Sequence, residues 1–96
     1  MAYKLEVRNE AKIDIINAFK WYEEKSAGLG DRFIDEVERY LDYIEVYPLH
    51  YQTKNKNYRE AVLKVFPYVI VYEIIEDNVV VFAVFPTKDD PAKKPS

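Results

Sequence analysis

The last third of the chain consists of three short runs of β-forming residues, and this pattern limits the possible folds most. A Phe66-Pro67-Tyr68 corner and a polar Glu76-Asp77-Asn78 turn separate the runs, which cover about 58–65, 68–75 and 79–85. Connections this short force neighbouring strands to run in opposite directions, so we expect a three-stranded antiparallel meander. Asp77 and Asn78 are expected to form the tight turn, because both tolerate left-handed backbone.

A strand and a helix are predicted before the meander. Residues 3–8 alternate between apolar and polar side chains, which predicts a strand with Tyr3, Leu5 and Val7 facing the core. A helix is then predicted from Asn9, its expected N-cap, to about Ser26. Its buried stripe is expected to contain Ala11, Ile15, Ala18, Phe19 and Tyr22.

A second helix should pack against the first as an antiparallel hairpin. Gly28-Leu29-Gly30 is expected to end the first helix, since glycine enters the left-handed conformation of a C-cap easily. The second helix is predicted over about 31–47 and is stopped by Pro48. Its buried face is expected to contain Phe33, Val37, Leu41 and Ile44.

The whole chain, residues 1–96, is predicted to form a single α+β domain with the element order β-α-α-β-β-β in two layers. Residues 48–57 are expected to form a loop and residues 86–96 an irregular tail. The chain has no cysteine, no signal-peptide-like start and no apolar run of about 20 residues, which favours a cytoplasmic protein without a membrane span.

The last two strands are apolar on both faces, although the helices can cover only one. In one strand Ile70, Tyr72 and Ile74 alternate with Val69, Val71 and Ile75, and in the other Val79, Val81 and Ala83 alternate with Val80, Phe82 and Val84. The tail, the loop or another chain could cover the second face. The packing of the helices on one sheet does not explain the burial of five helix residues, which could belong either to the core or to a partner contact. These residues are Ile13, Trp21, Tyr40, Tyr43 and Tyr47.

Charge is distributed unevenly along the chain. The net charge is −3, which argues against a general nucleic-acid binder. Residues 9–47 carry ten acids and five bases, whereas residues 50–64 carry four bases and one acid. With one histidine and no cysteine, no metal cluster is visible and no cofactor is expected.

Metal-free RNA cleavage is the one chemistry left open, because it needs a base, an acid and cations around a phosphate. An ordinary solvated basic face would contain the same groups, which are His50, Tyr51, Lys54, Lys56, Tyr58, Arg59, Lys64 and Lys88.

The run from Tyr58 to Tyr72, the Val-rich strand after it, Asp90-Pro91, Trp21-Tyr22-Glu23-Glu24 and Gly28-Leu29-Gly30 resemble the RelE/ParE family of toxin-antitoxin toxins. The resemblance covers nearly the whole chain. It implies a twisted antiparallel sheet with two helices on one side. It also implies that an antitoxin neutralises the toxin by wrapping around it. The antitoxin contacts that it suggests are Trp21, Tyr40, Tyr43, Tyr47, Val69 and Val71.

Two departures from the family pattern bear on activity. Ribonuclease members typically carry an arginine after the tyrosine that matches Tyr68, another basic residue after the last strand, and often a tyrosine or histidine near the C-terminus. This chain has Val69 at the first of these positions and no aromatic residue after Phe85. Many ParE-like relatives have a His-Thr-Arg-Arg-Asp-Pro tail. The similar segment here begins with Pro86 in place of the histidine and has Asp89 in place of the second arginine.

The resemblance therefore favours a ParE-like toxin that inhibits growth by binding, with DNA gyrase as the target by analogy and Arg59, Lys64 and Lys88 as target contacts. One alternative is a RelE-like ribosome-dependent mRNA endoribonuclease with Lys54, Lys56, Arg59 and Lys88 around the phosphate. Another is an interaction module that has lost its toxicity.

Overall fold

The computed structural model describes residues 2–54 and 57–87. Its elements follow the order β1 (Lys4–Val7), α1 (Asn9–Lys25), α2 (Leu29–Val46), β2 (Tyr58–Val62), β3 (Tyr68–Ile75) and β4 (Asn78–Pro86). This confirms the predicted α+β class and the order of elements. The predicted first run of the meander is three residues too long, since β2 ends at Val62.

One sheet contains all four strands, in the order β1-β4-β3-β2. The β2-β3-β4 meander is antiparallel as predicted, but β1 pairs with β4 in parallel, so the wholly antiparallel sheet implied by the resemblance is wrong at this edge. A parallel pair needs a long connection between its strands. The helical hairpin and the first part of the meander supply that connection.

A β-bulge in β4 changes which side chains face the helices. Val71 pairs with Ala83 and Tyr72 with Val81, so Phe82 is the extra residue. Strict alternation predicts the wrong face for the side chains of β4 that follow the bulge. Val84 lies in the core and Ala83 on the outer face, which reverses the sequence-based assignment of both.

The outer face of the sheet is the face away from the helices, and its central rows pair Val69 with Phe85, Val71 with Ala83 and Glu73 with Val80. Val69 is 4% exposed yet lies outside the main core cluster. On this outer face Val62, Ile75 and Phe85 are exposed.

Both predicted caps of the helical hairpin are wrong. Asn9 is the first residue of α1 and Arg8 is the N-cap, without a capping side-chain bond. At the other end of α1, Ser26 is the C-cap, and its N–H bonds the Tyr22 carbonyl. Gly28, with φ of 87°, is instead the N-cap of α2.

The turn between the helices is held by one carboxylate rather than by a glycine C-cap. Glu23 accepts hydrogen bonds from the Gly28 N–H at Oε2 and from the Gly30 N–H at Oε1, both at 2.9 Å. A β-carbon at Gly30 would lie 2.7 Å from the Phe19 ring, so the helices approach closely here. The bonds satisfy amides that the start of α2 leaves without intrahelical partners.

The turn between β3 and β4 also differs from the expectation. It consists of Glu76 and Asp77, and Asn78 already pairs with Ile75. Glu76 is the residue with left-handed backbone, at φ of 55°. The hairpin is therefore closed by two residues, one position earlier than predicted.

Four aromatic rings join the helices to the meander. Tyr22 of α1, Phe33 of α2, Phe66 of the corner and Tyr68 of β3 have ring centroids between 4.9 and 6.0 Å apart in five pairs, mostly edge to face. All four side chains are buried. Edge-to-face pairs add about 0.5–1.5 kcal/mol each beyond burial of their area, so this aromatic cluster fixes the corner under the helices.

The same corner is held to α2 by a buried carboxylate. Glu36 is 2% exposed, and its Oε2 accepts the Val65 N–H at 2.8 Å. Within the corner the Leu63 N–H bonds the Tyr68 carbonyl and the Tyr68 N–H bonds the Phe66 carbonyl. The bend that ends β2 is therefore specified by side chains of both helices.

Replacing Glu23 with alanine should lower the free energy of unfolding by about 1–3 kcal/mol, because two amides lose a charged acceptor. Urea unfolding measures the change. Glu24→Ala is the matched control, since Glu24 is the exposed neighbour in the same helix turn, and its effect should stay within about 0.5 kcal/mol. Equal losses in both variants would contradict the role of Glu23.

Candidate functional site

Residues 48–54 fold back onto β2 and form a latched loop. The buried Tyr72 hydroxyl donates to the Pro48 carbonyl at 2.6 Å, and Arg59 Nη1 donates to the Tyr51 carbonyl. Thr53 forms a β-bridge with Arg59, and the Lys54 N–H bonds the Tyr58 carbonyl. The loop thus has several backbone anchors, although its sequence is polar and aperiodic.

Arg59 is positioned by this loop. Its guanidinium contacts the Tyr51 carbonyl, and the side chain is half-buried beside Tyr72 on the helix side of β2. Burial raises the pKa of Tyr72 to about 12, and Arg59 lowers it in part. Arg59, which the sequence suggests for target or phosphate contact, therefore has a structural role in this chain.

The predicted basic residues that the structure describes do not form one patch. Lys54 lies beside Tyr58, near Arg59, whereas Lys64 lies two residues past the opposite end of β2. Both lysines are exposed. Lys56 and Lys88 lie outside the described residues.

An aromatic cleft opens between α2 and the latched loop. It has a volume of about 260 Å³ and is lined by Arg39, Tyr40, Tyr43, His50 and Tyr51. The Tyr43 ring stands at 90° to His50 with centroids 5.2 Å apart, and His50 stands at 80° to Tyr51 at 4.8 Å. The Tyr43 hydroxyl lies 3.1 Å from His50 Nδ1, within hydrogen-bond distance. This aromatic cleft is where the structure brings His50, Tyr51 and part of the predicted tyrosine flank together.

Two features of the aromatic cleft determine its electrostatics. Burial, followed by the neighbouring Tyr40 and Tyr43, raises the pKa of Tyr51, so its hydroxyl stays protonated at neutral pH. Arg39 lies at the rim with its side chain 69% exposed, and its Nη2 is 3.7 Å from Glu36 Oε1. The cleft therefore combines the protonated Tyr51 hydroxyl with the solvent-facing guanidinium of Arg39.

A second groove, the α1-β4 groove, runs between α1 and the last part of β4. Its volume is about 250 Å³, and it is lined by Asp14, Asn17, Ala18, Trp21, Tyr68, Val84, Phe85 and Pro86. Asp14 Oδ2 accepts the Val84 N–H at 3.0 Å, where β4 extends past its last pair with β1. Trp21 is 43% exposed and packs edge to face on Tyr22. Lys25 Nζ lies 4.7 Å from the centroid of the Trp21 ring.

The remaining partner-contact candidates are spread over the surface. Tyr43 and Tyr47 are exposed and their rings lie 5.1 Å apart, whereas Tyr40 is half-buried against the core. Tyr47 directly follows α2, about 20 Å along the hairpin from the level of Trp21. Val71 is half-buried on the outer face, next to the buried Val69.

Sequence reasoning missed Asp14, Phe85 and Arg39. Asp14 lies between Ala11 and Ala18 on the buried side of α1. A carboxylate at such a position needs a hydrogen-bond donor, which here is the backbone N–H of Val84. Phe85 was placed within an apolar strand, and only the bulge decides which way it points.

Across residues 2–54 and 57–87 no group of acidic or histidine side chains could hold a metal ion. The described helices include none that is long and apolar enough to cross a membrane.

The fold is that of a known class of toxin-antitoxin proteins. A solved structure of the chromosomal ParDE TA system from P. aeruginosa is similar, with a TM-score of 0.81 and 9% sequence identity over 91% of this chain and 98% of that chain. At this identity the likeness shows the fold alone. A comparison with curated proteins finds no significant match.

The sequence model of the ParE toxin of the type II toxin-antitoxin system parDE matches residues 5–91. The chain therefore belongs to the ParE toxin family.

The buried hydroxyl of Tyr72 should be visible in an alkaline titration. The Tyr72 hydroxyl should ionise only near pH 12 while the protein remains folded. The unfolded chain loses this proton near pH 10, so the stability from Tyr72 is complete below pH 10 and is lost between pH 10 and about 12.

Ultraviolet absorbance of tyrosinate, followed alongside circular dichroism, measures the ionisation. Tyr72→Phe should remove the high-pH step, whereas Tyr47→Phe, at an exposed position, should keep it. A high-pH step that persists in Tyr72→Phe would contradict the assignment.

Proposed function

We propose that the chain inhibits growth by binding a protein target rather than by cutting RNA, with DNA gyrase as the target. The observation that carries this proposal is at position 69. Ribonuclease relatives carry an arginine there, whereas this chain has a valine that is 4% exposed on the sheet. Cleavage of RNA needs cations around the phosphate, and an aliphatic side chain supplies none.

The arrangement of the basic residues also supports binding. Arg59 is engaged with the Tyr51 carbonyl, and Lys64 lies at the far end of β2. A protein interface of ordinary size can span both positions. Of the three target contacts suggested by the sequence, Lys64 is the exposed one among the described residues, and Lys88 is a further candidate from the sequence.

A cognate antitoxin is proposed to hold the toxin inactive by occupying the α1-β4 groove. Trp21 and Phe85 offer aromatic surface at its rim, and both are partly exposed in the isolated chain. Large aromatic side chains in a concave surface are the usual anchors of a protein interface. The same antitoxin segment would continue along the hairpin to Tyr40, Tyr43 and Tyr47 and would also cross Val69 and Val71. It would then cover the contacts suggested by the sequence.

Purified toxin should block supercoiling by DNA gyrase and leave mRNA intact on translating ribosomes. Supercoiling gels and primer extension measure the two activities on the same preparation. Induction without antitoxin should arrest growth, which separates a toxin from an inactive module. Ribosome-dependent cleavage products without gyrase inhibition would overturn the proposal in favour of the endoribonuclease.

Within that assay, Lys64→Glu should raise the toxin concentration needed for half-inhibition of gyrase by about tenfold, because it inverts a charge at the proposed contact. Lys12→Glu on α1 is the control and should change the value less than twofold. Both lysines are exposed, so neither variant should unfold the protein. Equal inhibition by both variants would exclude Lys64 from the target contact.

Trp21→Ala should weaken binding of the antitoxin encoded beside the toxin by about 2 kcal/mol or more, as expected for a tryptophan anchor. Ile16→Ala is the control, since Ile16 lies on the same helix, is 50% exposed and does not line the groove. Isothermal titration calorimetry gives both affinities. Unchanged antitoxin affinity in Trp21→Ala would place the antitoxin elsewhere.

A further inference from the structure

The aromatic cleft has a composition that a protein-binding toxin does not require. Its 260 Å³ is below the range of about 300–1,000 Å³ for pockets that enclose drug-sized ligands. It is also open to solvent on one side. A single flat ring system with a polar substituent fits such a site better than a larger molecule does.

The walls of the cleft suit a flat aromatic ligand. His50 stands nearly perpendicular to both Tyr43 and Tyr51. In a T-shaped contact the edge of one ring covers only one face of the other, so such pairs leave other ring faces for a stacked ligand. Stacking on such faces is tolerant of base identity and is the main way in which proteins hold unpaired nucleobases.

The polar groups of the cleft suit the rest of a nucleotide. The hydroxyls of Tyr43 and Tyr51 and the imidazole of His50 can donate or accept hydrogen bonds to the edge of a base. Arg39 presents a guanidinium at the rim, and its only described partner, Glu36, lies 3.7 Å away. A guanidinium matches the geometry of a phosphate.

The loop that forms one wall is also held in place without a ligand. Tyr72 and Arg59 fix it through the Pro48 and Tyr51 carbonyls. Because the wall is preorganised, binding need not order the loop first, which lowers the entropic cost. The exposed Lys54 lies three residues after Tyr51 on the same loop.

We propose that the aromatic cleft binds one unpaired nucleotide, with its base stacked among Tyr43, His50 and Tyr51 and its phosphate beside Arg39. The nucleotide is either free or part of a single strand, and both sources share this chemistry. A duplex is a poor ligand, because its bases are already stacked and paired. The cleft is separate from Lys64 and from the α1-β4 groove, but it shares Tyr40 and Tyr43 with the path proposed for the antitoxin. It is therefore tested on the toxin without antitoxin, and the result does not depend on gyrase inhibition.

Binding is measured on the full chain by fluorescence anisotropy with a labelled ten-nucleotide single strand, with AMP and UMP as competitors and a duplex of the same sequence as the comparison. The single strand should bind more tightly than the duplex. Competition by AMP or UMP identifies a free-nucleotide site, and its absence identifies a site for a nucleotide within a strand. No binding of the single strand, AMP or UMP, or equal binding of duplex and single strand, overturns the proposal.

The one histidine of the chain provides a direct readout at the cleft. Ring protons of His50 should shift in the proton NMR spectrum when AMP or the single strand is added, because a stacked base places a ring current beside them. Binding that leaves the His50 signals unmoved would place the nucleic acid elsewhere on the surface and overturn the proposal.

Variants test the two halves of the site. Tyr43→Ala should weaken binding about tenfold, as for loss of one stacking partner. Tyr58→Ala is its matched control, since Tyr43 and Tyr58 are both 39% exposed but Tyr58 lies on the outer face of the sheet. Tyr43→Phe keeps the ring and should bind within about twofold of the original chain.

Arg39→Gln should weaken binding and make the dependence of log Kd on log salt concentration shallower by about one unit, because one phosphate contact is lost. Arg32→Gln, seven residues earlier on the same helix, should leave the slope unchanged. Arg39 is largely exposed, so this variant should fold even if Tyr43→Ala does not. Unchanged affinity and slope in Arg39→Gln would overturn the placement of the phosphate.

Discussion

The packing of four aromatic rings at one end of the molecule determines how the rest is arranged. Tyr22, Phe33, Phe66 and Tyr68 come from α1, α2, the corner and β3, so one cluster contacts all the elements that must meet there. Two carboxylates on the same helices, Glu23 and Glu36, then satisfy the amides of the helix turn and of the corner. Apolar packing sets the position, and charged acceptors specify the backbone path around it.

The opposite end of the core is organised differently, and the difference matters for function. There Tyr72 and Arg59 reach from the sheet to carbonyl groups of the latched loop. The loop is thereby fixed against α2 and the aromatic cleft is formed. The α1-β4 groove, in contrast, exists because β1 is shorter than β4 and leaves part of its edge to α1. Two distinct surfaces thus follow from two local features of the same sheet.

Much of the fold is predictable from local patterns. Alternation in β1, the apolar stripes of the helices and the short connections of the meander gave the correct order of elements. Three features depended on three-dimensional contacts that local patterns do not show: the parallel pairing of β1, the bulge at Phe82 and the use of Glu23 at the helix turn. For the site, the exposure of Trp21 and Tyr47 followed from helical spacing. The role of Arg59 could not be predicted from the sequence, because a sequence does not show which carbonyl lies beside a guanidinium.

The parallel pairing of the first and last strands has a consequence for the timing of toxin production. Lys4 pairs with Asn78, so the partner of β1 is made 74 residues after it. At ordinary rates of synthesis this corresponds to a delay of about 4–15 s. During that interval β1 has no partner, because β4 lies between β1 and β3 in the sheet. The four-stranded sheet is therefore completed only once the last strand has been made.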